Sequence, residues 1–401
     1  MKPGWTTELL GELCEFQRGL TYAKSDEVDI SDNIVLRATN IDLKTNLLDF
    51  SELRYISDKV LVPDNKRVKK NSLIICTASG SKSHLGKVAY IDDDYGCAFG
   101  GFMGMITPKN GLLPRYLFHI LTSDTYKDFI SELSDGANIN NLKFDDLKTF
   151  QIPHPDRPEQ LRIVRILDEA LDGIATAKAN AEKNLKNARA LFESHLSSVF
   201  TRRVGRPTVP IGNVAEVFDG PHATPKTIES GPIFLGIGAL QDGYINLGET
   251  RHVTPADFRQ WTRRVRPRAG DAVFSYETRL GQAAIIPEGL ECCLGRRMGL
   301  VRVDQKLIDS RFFVYQYISP PFREFLESKT VRGATVDRIA IKEFPSFPII
   351  VLPLAEQKLI ANQLDTLRAE IQRLESIYRQ KLVALEALKK SLLHQAFTGT
   401  L

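Results

Sequence analysis

Hydrophobic positions follow two different patterns along this chain, and each pattern occurs twice. Residues 1–157 and 201–354 contain short apolar runs bounded by Gly, Asn and Asp, which is typical of β-strands and turns. Each of these stretches is followed by about 40 residues whose apolar positions recur at helical spacing. The pattern predicts an α+β chain in which two strand-rich domains alternate with two long helices, 158–200 and 355–401.

The apolar positions of the second predicted helix recur every seven residues. One heptad position is occupied by Leu364, Ile371, Tyr378, Leu385 and Leu392. The other is occupied by Leu367, Leu374 and Leu388, with Lys381 in the remaining place. The first helix has a weaker version of this repeat, and such a repeat is typical of a coiled coil. We expect the two helices to pair with each other; the alternative is that each packs only on its own domain.

The two halves of the chain repeat each other at an offset of about 197 residues. Matching blocks are LGELCEFQRG (10–19) with IGNVAEVFDG (211–220), LGKVA (85–89) with LGQAA (280–284), GGFMG (100–104) with GRRMG (295–299), EQ (159–160) with EQ (356–357) and LD (167–168) with LD (364–365). An ordered series of matches indicates a duplication. Two alike halves favour a pseudo-two-fold arrangement, in which an antiparallel coiled coil separates the two domains.

Composition and charge exclude several classes of protein. The chain has 401 residues, of which 43% are hydrophobic and 25% charged, as in globular proteins. Its apolar runs are too short for a membrane span, and its N-terminus lacks the apolar region of a secretory signal. Five cysteines without CxxC spacing suggest a reducing, cytoplasmic location and no structural zinc.

Basic residues are distributed unevenly between the halves. In residues 201–354, 17 of the 21 basic residues are Arg, against 6 of 19 in residues 1–157. Arg suits bidentate recognition of phosphate groups and guanine edges. This bias is compatible with a nucleic-acid partner for the second half.

Motifs for catalysis are missing from the sequence. No Asn/Asp-Pro-Pro-aromatic loop of an amino-methyltransferase occurs, and SPPF (319–322) is the nearest match. The sequence contains neither a GxxxxGK[ST] phosphate loop nor an HExxH zinc motif, and GIG (236–238) lacks the third glycine of a dinucleotide fingerprint. The seven histidines are scattered. The sequence therefore favours binding over catalysis, with no catalytic residues, metal or cofactor in this chain.

Several of these segments together resemble the specificity subunit of type I restriction–modification systems. The most specific are PLAEQ (353–357), PEQ (158–160) and the closing LLHQAFTGTL (392–401), while PDRPEQ in the first half departs from the usual PLAEQ. The resemblance covers the whole chain. It implies two target-recognition domains, 1–157 and 201–354, separated by helical regions that form an antiparallel coiled coil.

The resemblance also implies the partners and the role of the chain. Such a subunit is not itself an enzyme; it reads an asymmetric, two-part site in double-stranded DNA, one half-site per domain. It binds two methyltransferase subunits, which methylate adenine at N6, and through them the restriction and motor subunits. S-adenosylmethionine, ATP and Mg²⁺ are expected in those partners. The alternatives are a subunit of a methyltransferase-only complex, a coiled-coil scaffold without sequence-specific DNA readout and, least favoured, an autonomous enzyme.

Three loop regions that align between the halves are polar, Gly-rich or basic, and we predict that they contact DNA. They are residues 78–84 with 276–279, 99–102 with 294–297, and 136–141 with 333–338. Gly and Ser allow close approach to phosphate, Arg pairs with guanine and Asn with adenine. The predicted contacts are Ser79, Ser81, Lys82, His84, Gly101, Asn138, Asn140, Asn141, Tyr276, Thr278, Arg279, Arg296, Arg297, Arg332, Thr335 and Arg338. The alternative is that these are ordinary turns.

Two equivalent junctions, where each long helix begins, are predicted to dock the methyltransferase subunits. Their residues are Glu159, Gln160, Glu356 and Gln357. Since one such junction occurs in each half, one partner subunit per half is expected.

Overall fold

The computed structural model describes residues 3–135, 141–203, 205–222, 224–332 and 336–401. It divides into two compact units. Unit 1 comprises Met1–Ala181 and Gln380–Leu401, and unit 2 comprises Glu182–Arg379. Each unit therefore combines one strand-rich domain with segments of both long helices, so the helices are not compact bodies of their own.

The first domain is built around a four-stranded antiparallel sheet. Its strands are β1 (Thr6–Leu9), β2 (Cys14–Arg18), β3 (Glu27–Val28), β4 (Asn33–Leu36), β5 (Arg54–Ile56), β6 (Ser72–Cys76), β7 (Val88–Ile91), β8 (Ala98–Phe99), β9 (Met103–Pro108) and β10 (Gln151–His154). The central sheet has the order β2-β9-β6-β7. A second sheet has the order β3-β5-β4-β8, in which β4 and β8 are parallel, and β1 pairs with β10. The helices are α1 (Leu10–Leu13), α2 (Pro114–Ile120), α3 (Asp124–Asp135), α4 (Phe144–Leu147) and the long α5 (Arg157–Thr201).

The second domain repeats this plan. Its strands are β11 (Thr208–Pro210), β12 (Ala215–Asp219), β13 (Ile228–Leu235), β14 (Leu240–Gln241), β15 (Tyr244–Ile245), β16 (Arg251–His252), β17 (Ala272–Ser275), β18 (Ala283–Ile285), β19 (Cys292–Leu294), β20 (Met298–Val303) and β21 (Pro348–Ile350). The central sheet has the order β12-β20-β17-β18, which matches the first domain strand for strand. The helices are α6 (Pro255–Trp261), α7 (Ser310–Ile318), α8 (Pro320–Ser328) and the long α9 (Leu354–Thr398).

Strand β6 is buried at every position because both of its faces are covered. Leu73 and Ile75 pack into a core that includes α2, while Ile74 and Cys76 pack into a core shared with the second sheet. Successive side chains of a strand point to opposite faces, so a strand between two cores is a continuous apolar run. This explains why SLIIC lacks the alternation of a half-exposed strand.

Each long helix is joined to its own domain by an aspartate of the repeated Leu-Asp pair. In unit 1, Oδ1 of Asp168 lies 2.9 Å from Nε of Arg115 and 2.8 Å from Nε2 of the buried His119. In unit 2, Asp365 accepts hydrogen bonds from Nη1 of Arg311 at 2.7 Å and from the hydroxyl of Tyr315 at 2.6 Å. The duplicated aspartates therefore attach α5 to α2 and α9 to α7.

The two long helices run antiparallel within each unit. In unit 1, Nζ of Lys178 donates to Glu386 at 2.8 Å. In unit 2, Nε of Arg189 donates to Glu375 at 2.6 Å. The predicted pairing of the two helices is thus present. The second heptad position is only partly buried, since Leu374 and Leu388 are 37% and 47% exposed.

Two further expectations concern membranes and metals. None of the helices in the described residues combines the length and apolarity that crossing a bilayer requires. All five cysteines are buried free thiols. Within the same described ranges, no three His, Cys, Asp or Glu side chains are grouped so as to hold a metal ion.

The burial of His119 makes the stability of unit 1 depend on pH. Burial lowers the pKa of His119 below its ordinary 6.5, and the hydrogen bond and charge of Asp168 offset this only in part. The unfolded chain therefore takes up a proton more readily than the folded chain below about pH 6.5. We expect the free energy of unfolding to fall as the pH drops below that value, measured by urea denaturation over a pH series.

His119→Gln is the informative variant, because an amide donates to Asp168 without titrating. It should show a shallower loss of stability between about pH 6.5 and 5.5 than the wild type. If the unfolding free energies of the variant and the wild type fell equally steeply with pH, His119 would not be the group responsible.

Candidate nucleic-acid interface

In unit 1 the three predicted loops meet where the central sheet ends. Thr77 directly follows β6, and its backbone N–H donates to the carbonyl of Phe102 at 2.9 Å. The carbonyl of Thr77 accepts from the N–H of Leu142 at 2.6 Å. Ala78 and Asn141 form an isolated β-bridge. The structure thus brings the described parts of the three loops together, and we call residues 77–84, 100–102 and 141 the first loop cluster.

The same backbone contacts occur at the equivalent place in unit 2. The N–H of Tyr276 donates to the carbonyl of Arg297 at 3.2 Å, and the carbonyl of Tyr276 accepts from Ile339 at 2.8 Å. Glu277 and Arg338 form the bridge that corresponds to the one in unit 1. Residues 276–279, 295–297, 331–332 and 336–338 form the second loop cluster. The duplicated sequence therefore builds one backbone arrangement twice and places different side chains on it.

Matched glycines permit this arrangement. A Cβ atom on Gly19 would collide with the carbonyl oxygen of Gly100, and one on Gly220 would collide with that of Met298. Both glycines close the aligned LGELCEFQRG and IGNVAEVFDG blocks. Gly19 thus lies against Gly100 of the first loop cluster and Gly220 against Met298 at the start of β20, and neither place has room for a side chain.

Apart from Phe102, the exposed side chains that the structure describes in the first loop cluster are small, and none of them is acidic. Ser81, Gly101 and Asn141 are exposed, and Ser79 is half-buried. The described residues do not include Asn138 and Asn140, nor the side chain of Lys82. A DNA backbone can therefore approach this surface without meeting a like charge.

His84 faces the interior of its domain more than its surface. Its Nδ1 lies 2.8 Å from Nζ of Lys87, and that buried ammonium donates to the carbonyl of Ile41 at 2.6 Å. Burial and the nearby Lys87 charge lower the pKa of His84, so the ring is held neutral near pH 7. His84 therefore supports the loop from beneath.

The second loop cluster exposes arginines. Arg296, Arg332, Arg338 and Thr278 are exposed, and Thr335 lies outside the described residues. Among the residues that the structure describes, no ion pair or side-chain hydrogen bond occupies these three arginines. Their guanidinium groups are thus available to phosphate oxygens or guanine.

Three other predicted contacts of this cluster are used within the domain. Tyr276 is buried, and its burial raises the pKa of the phenol. Arg279 donates to the carbonyls of Ile237 at 3.1 Å and Gly238 at 2.9 Å. Nε of Arg297 lies 3.1 Å from Oε1 of Glu277. Since Tyr276 is buried, Arg279 is hydrogen-bonded and Arg297 is ion-paired within the domain, these side chains position the loops.

Two residues of the second loop cluster have left-handed backbone conformations. Thr278 has φ of 71° and Arg297 has φ of 73°. A β-branched residue rarely adopts this conformation, and such strain is concentrated at functional sites. The N–H of Thr278 donates to the carbonyl of Asp337 at 3.0 Å, which fixes the strained turn.

A surface cleft beside the second loop cluster was missed by the sequence analysis. It is lined by Arg251, Arg296 and the Gly236-Ile237-Gly238 turn, among others. From the sequence, Gly236 and Gly238 are interpreted only as part of an incomplete dinucleotide-binding motif. No feature of the sequence predicts a role for Arg251, because it is far along the chain from the second loop cluster. Its position at the start of strand β16 brings it to the cleft.

The predicted docking glutamines are internal. Gln160 and Gln357 are both 0% exposed. The amide of Gln160 accepts from the N–H of Leu113 at 2.8 Å and donates to the carbonyls of Gly111 and Pro155, each at 2.9 Å. A side chain enclosed in this way cannot contact a partner, so its physical role is to join the helix start to the domain.

Gln357 makes the same three contacts in unit 2. It accepts from the N–H of Asp309 at 2.9 Å and donates to the carbonyls of Leu307 at 2.9 Å and Leu352 at 2.7 Å. The repeated Glu-Gln pair thus has a structural explanation in both units.

The glutamates of these pairs lie closer to the surface. Glu159 accepts two hydrogen bonds from Arg162, at 2.7 and 3.0 Å. Glu356 lies 3.6 Å from Arg203. Their predicted part in docking stays a prediction.

Comparisons with known proteins identify relatives over nearly the whole chain. Residues 2–187 match the family model "Type I restriction modification DNA specificity domain". The StySPI specificity subunit of Salmonella potsdam is 26% identical over 99% of this chain and 89% of its own. The EcoKI specificity subunit of Escherichia coli K12 is 25% identical with the same coverage. The resemblance stated from the sequence motifs is confirmed.

Solved structures with similar folds support the predicted architecture. A chain from a structure of the assembly and conformational transition of a type I restriction–modification system has a TM-score of 0.76 and 19% identity, covering 100% of this chain and 99% of its own. The HsdS subunit of Thermoanaerobacter tengcongensis has a TM-score of 0.60 and 19% identity, covering 100% and 98%. The predicted fold class, two similar strand-rich domains with two long helices, is confirmed.

Replacing Gln357 tests its structural role. Gln357→Ala leaves the N–H of Asp309 and two carbonyls of unit 2 without their partner, which costs about 1–3 kcal/mol of unfolding free energy. Gln363→Ala, at an exposed position of the same helix, should change it by less than about 0.5 kcal/mol. Urea denaturation, followed by hydrogen exchange of α7, measures both. Equal effects of the two substitutions would argue against the role of Gln357.

Proposed function

This chain is a homologue of the specificity subunits of type I restriction–modification systems, and we propose that it selects the DNA sequence on which such a complex acts. The observation that carries the proposal is the pair of loop clusters. One backbone arrangement is built twice, with the same hydrogen bonds, while the exposed side chains differ between the copies. Such a pair suits the reading of two different half-sites.

The side chains of the two clusters suggest different half-sites. The first exposes hydroxyl and amide groups, such as Ser81 and Asn141. The second exposes Arg296, Arg332 and Arg338. Asn is suited to adenine and Arg to guanine in the major groove, and both also bind phosphate. The target is therefore asymmetric and in two parts.

Catalysis belongs to the partners in this proposal. The sequence has neither the Asn/Asp-Pro-Pro-aromatic loop that holds a target amino group nor a GxxxxGK[ST] phosphate loop. Two methyltransferase subunits would bind S-adenosylmethionine and methylate adenine at N6. Restriction and motor subunits would bind ATP and Mg²⁺. This chain would supply specificity and a scaffold for assembly, in the cytoplasm.

A scaffold that does not read DNA sequence is the alternative function. The antiparallel helix contacts within each unit are compatible with it. It gives no reason for one backbone arrangement at matched places in the two domains, nor for the exposed arginines and the strained residues Thr278 and Arg297 of the second loop cluster. The two functions differ in one observable: only a specificity subunit ties methylation to a particular sequence.

The experiment that tests the function compares the methylome of the source cell with and without this gene. Loss of N6-methyladenine from one two-part motif would support the proposal and identify the target. Retention of every methylated motif in cells that express the whole complex would favour the scaffold. Exchanging residues 1–157 for the corresponding domain of a relative should change one half of the motif only.

Arg296 should contribute to discrimination in the second half-site. In the assembled complex, Arg296→Ala should lower the ratio of specific to non-specific DNA affinity by roughly 10-fold, because one bidentate base contact is lost. Lys306→Ala removes the same charge from an exposed position just beyond the opposite end of β20, and should leave the ratio unchanged. Competition binding with the motif-bearing duplex measures both variants. An unaltered ratio for Arg296→Ala would remove Arg296 from the base-reading set.

A further inference from the structure

The first loop cluster presents a large apolar side chain to solvent. Phe102 is 72% exposed and lies in the middle of the cluster, between Gly101 and the buried Met103. Leaving an aromatic ring in water forgoes the free energy that its burial would contribute, about 1.5–3 kcal/mol. Its exposure in the free chain is compatible with burial of the ring against a partner.

The backbone of Phe102 is held firmly although its side chain is exposed. Its carbonyl accepts hydrogen bonds from the N–H of Thr77 at 2.9 Å, the N–H of Ala78 at 3.1 Å and the hydroxyl of Thr77 at 3.0 Å. The turn of residues 100–103 is closed by a hydrogen bond from Met103 to Gly100 at 2.8 Å. The backbone that carries the ring is therefore pre-organised, so only the side-chain torsions of Phe102 have to be ordered on binding.

The residues around the ring are small. Gly101 precedes Phe102 in the turn, and the Ala78-Ser79-Gly80-Ser81 segment begins at a residue whose N–H bonds to the Phe102 carbonyl. A Cβ atom at Gly80 would meet open space. These two segments therefore place no large side chain next to the turn that carries the exposed ring.

The second loop cluster has no equivalent ring. Arg297 occupies the place of Phe102 in the repeat and makes the same backbone contact, but its side chain pairs with Glu277. The exposed ring is thus a property of one domain only. A ring required by the shared fold would be expected in both.

Resting on the proposed function, we propose that Phe102 makes an apolar contact with a base of the half-site that the first domain reads. Two features of DNA offer such a contact: the C5 methyl group of thymine in the major groove, and the face of a base at a partly unstacked step. A phenyl ring forms no hydrogen bond with phosphate. The contact should therefore affect sequence discrimination and leave the electrostatic component of binding unchanged.

The test uses the complete chain assembled with its methyltransferase subunits, and a duplex carrying the two-part motif found in the methylome. Phe102→Ala should weaken binding to this duplex by about 10-fold or more, as loss of one base contact does. Affinity for a duplex without the motif, and the dependence of binding on salt concentration, should stay as in the wild type. Phe102→Leu should retain part of the effect.

Matched controls come from the same domain. Ile30 and Leu61 are 81% and 85% exposed and lie outside the loop cluster. Their alanine variants remove comparable apolar surface and should bind the motif-bearing duplex as tightly as the wild type. Circular dichroism of each variant checks that the domain is folded.

Modified duplexes identify which part of the base is contacted. With a methyl contact, replacing one thymine by uracil weakens binding of the wild type but not of Phe102→Ala. With a stacking contact, 2-aminopurine at the contacted step becomes more fluorescent on binding of the wild type and not of the variant. Either response supports the inference.

Three results would overturn it: motif binding unaffected by Phe102→Ala, an equal loss on duplexes with and without the motif, or no Phe102-dependent response to either modified base. Failure of the proposed function is distinguishable, because the wild-type complex would then show no preference for any motif.

Discussion

The burial of one central strand on both faces is the constraint on which each domain depends. Strand β6 contributes alternate side chains to two cores, and β17 does the same in the second domain. A strand enclosed in this way has a fixed register, because a slip by one residue would exchange the side chains of the two cores. The residue that follows each strand, Thr77 or Tyr276, is therefore fixed in position. The loops that hydrogen-bond to that residue are fixed with it, so the candidate interface is a consequence of core packing.

A second constraint joins the helices to the domains. The repeated Glu-Gln and Leu-Asp pairs place a buried amide and a half-buried carboxylate at the same points of α5 and α9. Leaving the backbone groups that the amides satisfy without partners would cost free energy in either unit. This gives a physical reason for their presence in both halves that is independent of any partner protein. Together with buried apolar side chains of each helix, such as Ile163 and Leu364, these polar contacts hold each helix on its own domain.

Within this rigid framework the two loop clusters differ in chemistry. Equivalent backbone positions carry Phe102 in one cluster and Arg297 in the other, and Asn141 in one and Arg338 in the other. Since the hydrogen bonds that shape the loops are made by the backbone, side chains at these positions can change without altering the fold. Such separation of scaffold from readout suits a protein whose two domains read different sequences.

The sequence by itself determined the duplication, the two strand-rich domains, the two long helices and the three loop regions, because periodicity and aligned blocks are local properties of the chain. It did not determine which loop side chains remain available. Arg279, Arg297 and His84 are predicted from the sequence to contact DNA, but their side chains contact Ile237, Glu277 and Lys87. Gln160 and Gln357 are predicted to dock a partner, but both are enclosed. Arg251 had no signal in the sequence, and Phe102 resembled any other apolar residue. Exposure and pairing depend on which distant segments pack together, so only the tertiary structure decided them.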